Sequence, residues 1–185
     1  IFGKILYISD NIAHVENVSK DTITADLMNI HVIFEDKDQR ILGEVIELND
    51  EEIKIRFLGE YVGNRYVNGV IRKPLLSSKL RIINSEELLE LVGTLSSKSF
   101  VLGESATYKG FQICPNINDL FSNHLAIFGN SGSGKSCGVS RIIQNIFSNP
   151  KTVTYNANMF FFDAYGEYKN AFGSLNKINP SYNYK

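Results

Sequence analysis

The sequence predicts a small antiparallel β-barrel followed by the first part of an α/β domain with a parallel sheet. Two observations lead to this prediction. Residues 1–83 contain short strand-like segments separated by turn residues, and from residue 123 onward the pattern changes to strand, loop, helix and strand. We place the boundary so that residues 1–95 form the barrel with a short terminal helix and residues 96–185 begin the second domain.

The barrel prediction depends on a hairpin and four further strand-like segments. Residues 53–57 alternate apolar and charged side chains, and the turn residues 49–51 separate them from a strand at residues 44–48. Further strands are predicted at residues 3–8, 12–16, 30–34 and 66–71. Short antiparallel strands close most economically into a barrel, because closure removes unpaired edges. A short helix follows, capped by Asn84 or Ser85 and ended by Gly93.

Composition narrows the class of protein. The chain has 185 residues, 43% of them apolar, with 19 basic and 20 acidic side chains. This balance excludes a protein that is basic throughout, although a ring can still line a DNA channel with a few cations. Cys114 and Cys137 have no zinc-binding spacing and indicate a reducing, cytoplasmic location. No segment approaches the ~20 apolar residues of a membrane span.

Residues Gly129 to Ser136 read GNSGSGKS and match the P-loop pattern G-x-x-x-x-G-K-S. The motif follows an apolar run at residues 124–128, predicted as a buried strand, and precedes apolar residues at helical spacing over 139–147. In such a loop, glycines let backbone N–H groups face phosphate oxygens, and the helix N-terminus adds positive potential.

The P-loop predicts binding of ATP with Mg²⁺. Lys135 is expected near the β and γ phosphates, and the Ser136 hydroxyl is expected to ligate magnesium. A site that binds nucleotide without hydrolysing it remains an alternative. The predicted nucleotide-binding residues are Gly129, Asn130, Ser131, Gly132, Ser133, Gly134, Lys135, Ser136 and Cys137.

A second polar cluster, DAYGEY at residues 163–168, follows an apolar run at residues 159–162 that is predicted as another buried strand. Ligands of open α/β sheets bind at the carboxyl ends of the strands. Asp163 is therefore predicted to ligate magnesium or contact the attacking water, with Glu167 as a further catalytic group beside Lys135. Alternatively, Asp163 caps the following turn and Glu167 is solvated. A complete Walker B strand is expected beyond Lys185, in a longer protein.

The segments HLAIFGNSGSGKS, at residues 124–136, and FDAYGEY, at residues 162–168, resemble the HerA family of hexameric DNA translocases. That family belongs to the FtsK–HerA group of P-loop ATPases, whose ATPase domain is RecA-like. Its members carry HLAIxGxTGSGKS and DPHGEY, so Ala164 and Tyr165 here replace a Pro-His pair. Members also begin with a β-barrel like that of rotary ATP synthase subunits. The resemblance therefore covers essentially the whole chain.

The resemblance implies a ring of six subunits that hydrolyses ATP at subunit interfaces, with an arginine finger from the neighbouring subunit. Such a ring moves double-stranded DNA through its pore as a translocase or helicase. Relatives work with a partner nuclease, or with a sirtuin-like NAD hydrolase in antiviral defence, and the barrel face is the expected docking surface.

Two other functions stay open at this point. One is a rotary or secretion ATPase that uses the same barrel and acts on protein. The other is an ATP-binding hexameric scaffold that organises and activates a partner effector enzyme without being primarily a motor. Five basic residues in the last third of the barrel either contact a partner or DNA, or lie on solvated strand faces: Arg65, Arg72, Lys73, Lys79 and Arg81.

Overall fold

The computed structural model describes residues 2–18, 27–148 and 159–173. By its internal contacts the chain divides into two compact units, Ile1–Leu91 and Val92–Lys185. Within the described residues, no helix is long and apolar enough to cross a membrane.

The first unit is built around one antiparallel sheet of seven strands. The sheet has the order β1-β2-β5-β4-β3-β7, and β6 pairs with the last part of β5. The strands are β1 (Phe2–Ser9), β2 (Ile12–Asn17), β3 (His31–Glu35), β4 (Arg40–Leu48), β5 (Glu52–Val62), β6 (Arg65–Asn68) and β7 (Lys79–Ile82).

The sheet curls around an apolar core. Its longest ladder, between β4 and β5, shifts register between Leu42 and Gly43 and again between Val45 and Glu47. Such irregularities bend a strand and increase its twist. In the described part of the chain the sheet ends at β1 and β7, so the unit is a curled half-barrel. Its core consists of Ile5, Ala13, Val15, Val32, Phe34, Ile41, Val45, Ile53, Ile55 and Phe57.

The predicted hairpin between β4 and β5 is confirmed, together with its turn. Asn49 Oδ1 accepts hydrogen bonds from the backbone N–H groups of Glu51, at 3.0 Å, and Glu52, at 2.7 Å. A short side-chain acceptor two residues before its donor is the local geometry that makes asparagine favourable in turns. The other predicted strands also form, although the last one ends at Asn68 because Gly69 adopts a φ of +88°.

Strand β7 was not predicted, and Arg81 within it explains why. The four residues of β7 include two cations, which read as a solvated segment. The structure instead pairs the Arg81 guanidinium with Glu35 at 3.1 Å and with Glu87 at 2.7 Å. Arg81 is therefore engaged inside the first unit, which removes it from the residues that could contact DNA or a partner.

Helix α1 (Ser85–Val92) is capped by Asn84, one of the two predicted residues, and the cap is reciprocal. The Glu87 N–H donates to Asn84 Oδ1 at 2.9 Å, and the Asn84 N–H donates to Glu87 Oε2 at 3.2 Å. Two of the free donors at the helix start are satisfied in this way. Gly93 ends the helix with a φ of +79°, a conformation that glycine adopts without steric cost.

The regular structure in the described part of the second unit consists of three helices and two short strands. Its core consists of the buried residues Phe100, Ile143, Ile146 and Phe172. Its elements are β8 (Gly103–Glu104), β9 (Gln112–Ile113), α2 (Ile117–Phe121), α3 (Lys135–Ser148) and α4 (Tyr168–Phe172). Strands β8 and β9 pair with each other in an antiparallel ladder.

The predictions of buried strands at residues 124–128 and 159–162 were wrong. Neither segment forms a ladder with another described segment, and Phe128, Phe160 and Phe162 are 90%, 83% and 98% exposed. A strand exists only where a neighbour takes up its N–H and C=O groups. An apolar pattern reports a tendency to be buried, but it does not report whether a neighbouring strand lies alongside.

Candidate nucleotide-binding site

The P-loop backbone contains two glycines in the left-handed region. Gly132 has a φ of +79° and Gly134 a φ of +84°. A Cβ atom at either position would meet open space, so the requirement for glycine comes from the dihedral angle. The Ser133 N–H donates to Asn130 O at 3.1 Å, which closes a tight turn inside the loop. The loop is thus held in a defined curve by its own backbone.

Gly129 is favoured for a different reason. A Cβ atom there would collide with Ser133 Oγ. The chain therefore passes close to the Ser133 side chain, and a larger residue at position 129 would force that hydroxyl to move. Together with the small neighbours Ser131 and Ser133, this leaves an exposed loop that a dense anion can approach closely.

Lys135 opens helix α3 and points back over the loop. Its Nζ atom donates to Asn130 O at 2.8 Å. The ammonium group is therefore held against the loop by a neutral acceptor, and a phosphate oxygen in its place would form a stronger, charge-assisted bond. Ser136 is half-buried in the first turn of α3, and the Cys137 thiol is exposed.

The surroundings of the loop favour an anion. No aspartate or glutamate occurs between Asp119 and Asp163, a stretch that contains the whole loop and helix α3. The first N–H groups of α3 have no partners within the helix, and the helix dipole places positive potential at this end. The donor set of Lys135, backbone N–H groups and the Ser136 hydroxyl therefore fits a triphosphate with a hard cation such as Mg²⁺.

Helix α3 is fixed by its apolar face. Ile143 and Ile146 are buried and pack with Phe100 and Phe172. The predicted helical spacing over residues 139–147 is thus confirmed, with α3 ending at Ser148. Because the P-loop leads directly into this helix, the position of Lys135 is set by the core of the second unit.

Asp163 accepts hydrogen bonds from the turn that follows it. Its Oδ2 atom accepts from the Tyr168 N–H at 2.9 Å, and its Oδ1 atom accepts from the Glu167 N–H at 3.2 Å. These bonds hold the pKa of the Asp163 carboxyl below its usual value, so the group stays ionised at neutral pH. Asp163 thus caps the turn that follows it, which was the second interpretation of the sequence. Each carboxylate oxygen still has a lone pair that a cation can use.

The P-loop and the Asp163 turn are linked through helices α3 and α4. Tyr168 and Phe172 belong to the aromatic and aliphatic cluster that packs on α3, and Phe161 contacts both rings in a tilted arrangement. Glu167 is exposed, and its backbone N–H is the group that bonds to Asp163. In the described residues no group of three or more His, Cys, Asp or Glu side chains forms a metal site. A magnesium role for Asp163 stays a prediction.

Sequence reasoning missed two adjacent amide side chains on α3. Gln144 Nε2 donates to Ala171 O at 2.8 Å, and Asn145 Nδ2 donates to Val101 O at 2.8 Å. Each amide fastens α3 to a different neighbouring segment. In the sequence they read as ordinary polar positions of an amphipathic helix, and no local signal distinguishes them from solvated residues.

Residues 100–185 match the family model described as the central domain of the helicase HerA. No curated protein matches the chain. The matched range contains the P-loop, helix α3 and the Asp163 turn, which are the same residues that the sequence motifs single out. Residues 100–185, slightly less than half of the chain, are thus similar to the central domain of the HerA helicase.

Proposed function

We propose that this chain is a subunit of an ATP-dependent motor that moves double-stranded DNA, as a translocase or helicase. The observation that carries the proposal is the position of Lys135 and Ser136. Both lie in the first turn of α3, directly after a P-loop with two left-handed glycines, inside the HerA central-domain match. HerA-type domains are ATPases, and this loop has the donors that ATP requires.

The nucleotide would be held by the chain's own residues as follows. Backbone N–H groups of residues 129–137 bind the phosphates, and the Lys135 ammonium exchanges Asn130 O for a phosphate oxygen. Ser136 and Asp163 provide oxygen ligands for Mg²⁺, which when bound neutralises charge on the phosphates. Glu167 is exposed at the same turn, where it can act on the attacking water.

We further propose that six subunits form a ring in the cytoplasm, with DNA in the pore and the curled sheet closed into a complete barrel. A partner nuclease or sirtuin-like NAD hydrolase, as in antiviral defence, would dock on the barrel face. Support comes from the segment of residues 61–85, which has no acidic side chain and, besides the paired Arg81, four basic ones. Ile71 is 95% exposed there, next to the exposed Arg72 and Lys73.

The test is the rate of ATP hydrolysis by the full-length protein with and without double-stranded DNA. A motor that grips DNA is expected to hydrolyse ATP several-fold faster with DNA, and this stimulation should fall steeply with added salt because phosphate contacts release counterions. Heparin serves as the control polyanion and should not stimulate. A rate of ATP hydrolysis that does not change with DNA, or ATP binding without hydrolysis, would instead favour the ATP-binding scaffold that organises a partner enzyme.

A further inference from the structure

We infer that Gln144 is a positioning residue for Asp163, because it fixes the turn that carries this carboxylate to the helix that carries the P-loop. The inference rests on the proposed function, since it concerns the use of Asp163 at the nucleotide. It assigns a role to a side chain that lies outside both sequence motifs.

The first step is the bond between Gln144 and α4. Gln144 is half-buried on α3, and its Nε2 atom donates to Ala171 O at 2.8 Å. Helix α4 has only five residues, and a helix of that length is not stable by itself. Its order therefore comes from contacts with its surroundings, which include the burial of Phe172 and this hydrogen bond.

The second step connects α4 to Asp163. Both oxygens of the Asp163 carboxylate accept backbone N–H groups at the start of α4, from Glu167 and Tyr168. Charge-assisted bonds of this kind are stronger than bonds between neutral groups. The carboxylate and α4 therefore move together, and a displacement of α4 displaces the carboxylate.

The third step connects Gln144 to the phosphate site. Lys135 and Gln144 lie on the same continuous helix, about 14 Å apart at a rise of 1.5 Å per residue. The helix is held by Ile143 and Ile146 on either side of Gln144. The distance between the P-loop and Asp163 is thus set through α3, the Gln144 bond and α4.

The chain offers a matched control in the next residue. Asn145 is also half-buried on α3, and its amide also donates to a backbone carbonyl at 2.8 Å. Its acceptor is Val101 O, in a segment that does not carry Asp163. If both amides only stabilise the fold, the loss of either should have the same effect on ATP hydrolysis. If Gln144 positions Asp163, only the loss of Gln144 should change ATP hydrolysis.

The first experiment measures backbone amide hydrogen exchange in the full-length protein without nucleotide. Gln144→Met keeps the length of the side chain but removes the donor, and Asn145→Leu does the same at the control position. Exchange at residues 167 and 168 is expected to rise about 3- to 10-fold in Gln144→Met, the effect of one lost hydrogen bond. Asn145→Leu should leave these two amides unchanged. Equal acceleration in both variants would overturn the inference.

The second experiment measures the Mg²⁺ concentration that gives half-maximal ATP hydrolysis. Gln144→Met is expected to raise it about 3- to 10-fold, with Asn145→Leu unchanged. Since Gln144 acts through Asp163, adding Gln144→Met to Asp163→Asn should raise it no further. Additive effects in the double variant would show that Gln144 acts independently, which contradicts the inference.

Different results would contradict the positioning role of Gln144 and the magnesium role of Asp163. If Asp163→Asn raises the Mg²⁺ requirement while Gln144→Met behaves like Asn145→Leu, only the positioning role is wrong. If Asp163→Asn leaves the Mg²⁺ requirement unchanged in a protein that still hydrolyses ATP, Asp163 is only a cap. In that case the positioning role falls with it, but the P-loop site stands.

Discussion

Lys135→Ala is expected to lower the rate of ATP hydrolysis by roughly 100-fold or more, the usual effect of removing a group that stabilises developing charge in a phosphoryl-transfer site. The ammonium is the one full positive charge within the loop motif, and its place against Asn130 O puts it beside the backbone that would hold the phosphates. The measurement is steady-state phosphate release by the full-length protein at saturating Mg²⁺.

Lys109→Ala is the matched control for this substitution. Lys109 is an exposed lysine of the second unit and lies in the loop between β8 and β9, away from the P-loop motif in sequence. Its loss should leave the rate within about twofold, since an isolated exposed charge contributes little. Comparable activity of Lys135→Ala and wild type would place the chemistry elsewhere in the protein. A melting temperature unchanged by either substitution would show that activity, not folding, was affected.

Glu87→Ala is expected to destabilise the first unit by about 2 kcal/mol, because it removes a buried carboxylate that several donors share. Glu87 is 7% exposed and accepts hydrogen bonds from Arg81 and from the Asn84 N–H. Arg81 is partly exposed and can be rehydrated, which keeps the loss below that of a fully buried pair. Thermal or urea unfolding of the full chain measures the difference.

The same carboxylate gives the stability an acid dependence. The hydrogen bonds from Arg81 lower the pKa of Glu87, so its contribution is present above the unfolded pKa and is lost as the pH falls through the lower folded value. Glu87→Gln should therefore flatten the loss of stability below about pH 4.5. Its neighbour Glu86 is exposed, and Glu86→Ala should change neither stability nor acid dependence by more than about 0.5 kcal/mol. An equal effect at both positions would refute the shared-carboxylate explanation.

The first unit was largely predictable because its signals are local. Alternation in β5 and the Asn49 turn each depend on a few consecutive residues, and both are as expected. Strand β7 was missed because Arg81 is explained only by partners distant in sequence, Glu35 and Glu87. Local patterns report which residues suit a strand, but charge pairs across the sheet decide whether a cationic segment joins it.

The site was predictable where a motif specifies backbone geometry. The P-loop glycines take the dihedral angles that only their residue type allows, and Lys135 begins the helix as expected. The Asp163 turn was found in the sequence. The sequence did not decide whether Asp163 accepts hydrogen bonds from Glu167 and Tyr168 or contacts magnesium or water instead. The bond from Gln144 to Ala171 was beyond sequence reasoning because it joins a helix surface to a carbonyl 27 positions away.

The exposed phenylalanines at positions 128, 160 and 162 have a consequence for how this chain behaves in solution. Attraction between apolar surfaces weakens on cooling, because the hydration of such surfaces carries a large heat-capacity change. Self-association through these rings is therefore expected to be driven by entropy near room temperature and to be stronger at 37 °C than at 4 °C. Cooling is expected to keep the chain dispersed, and warming a concentrated sample is expected to favour association.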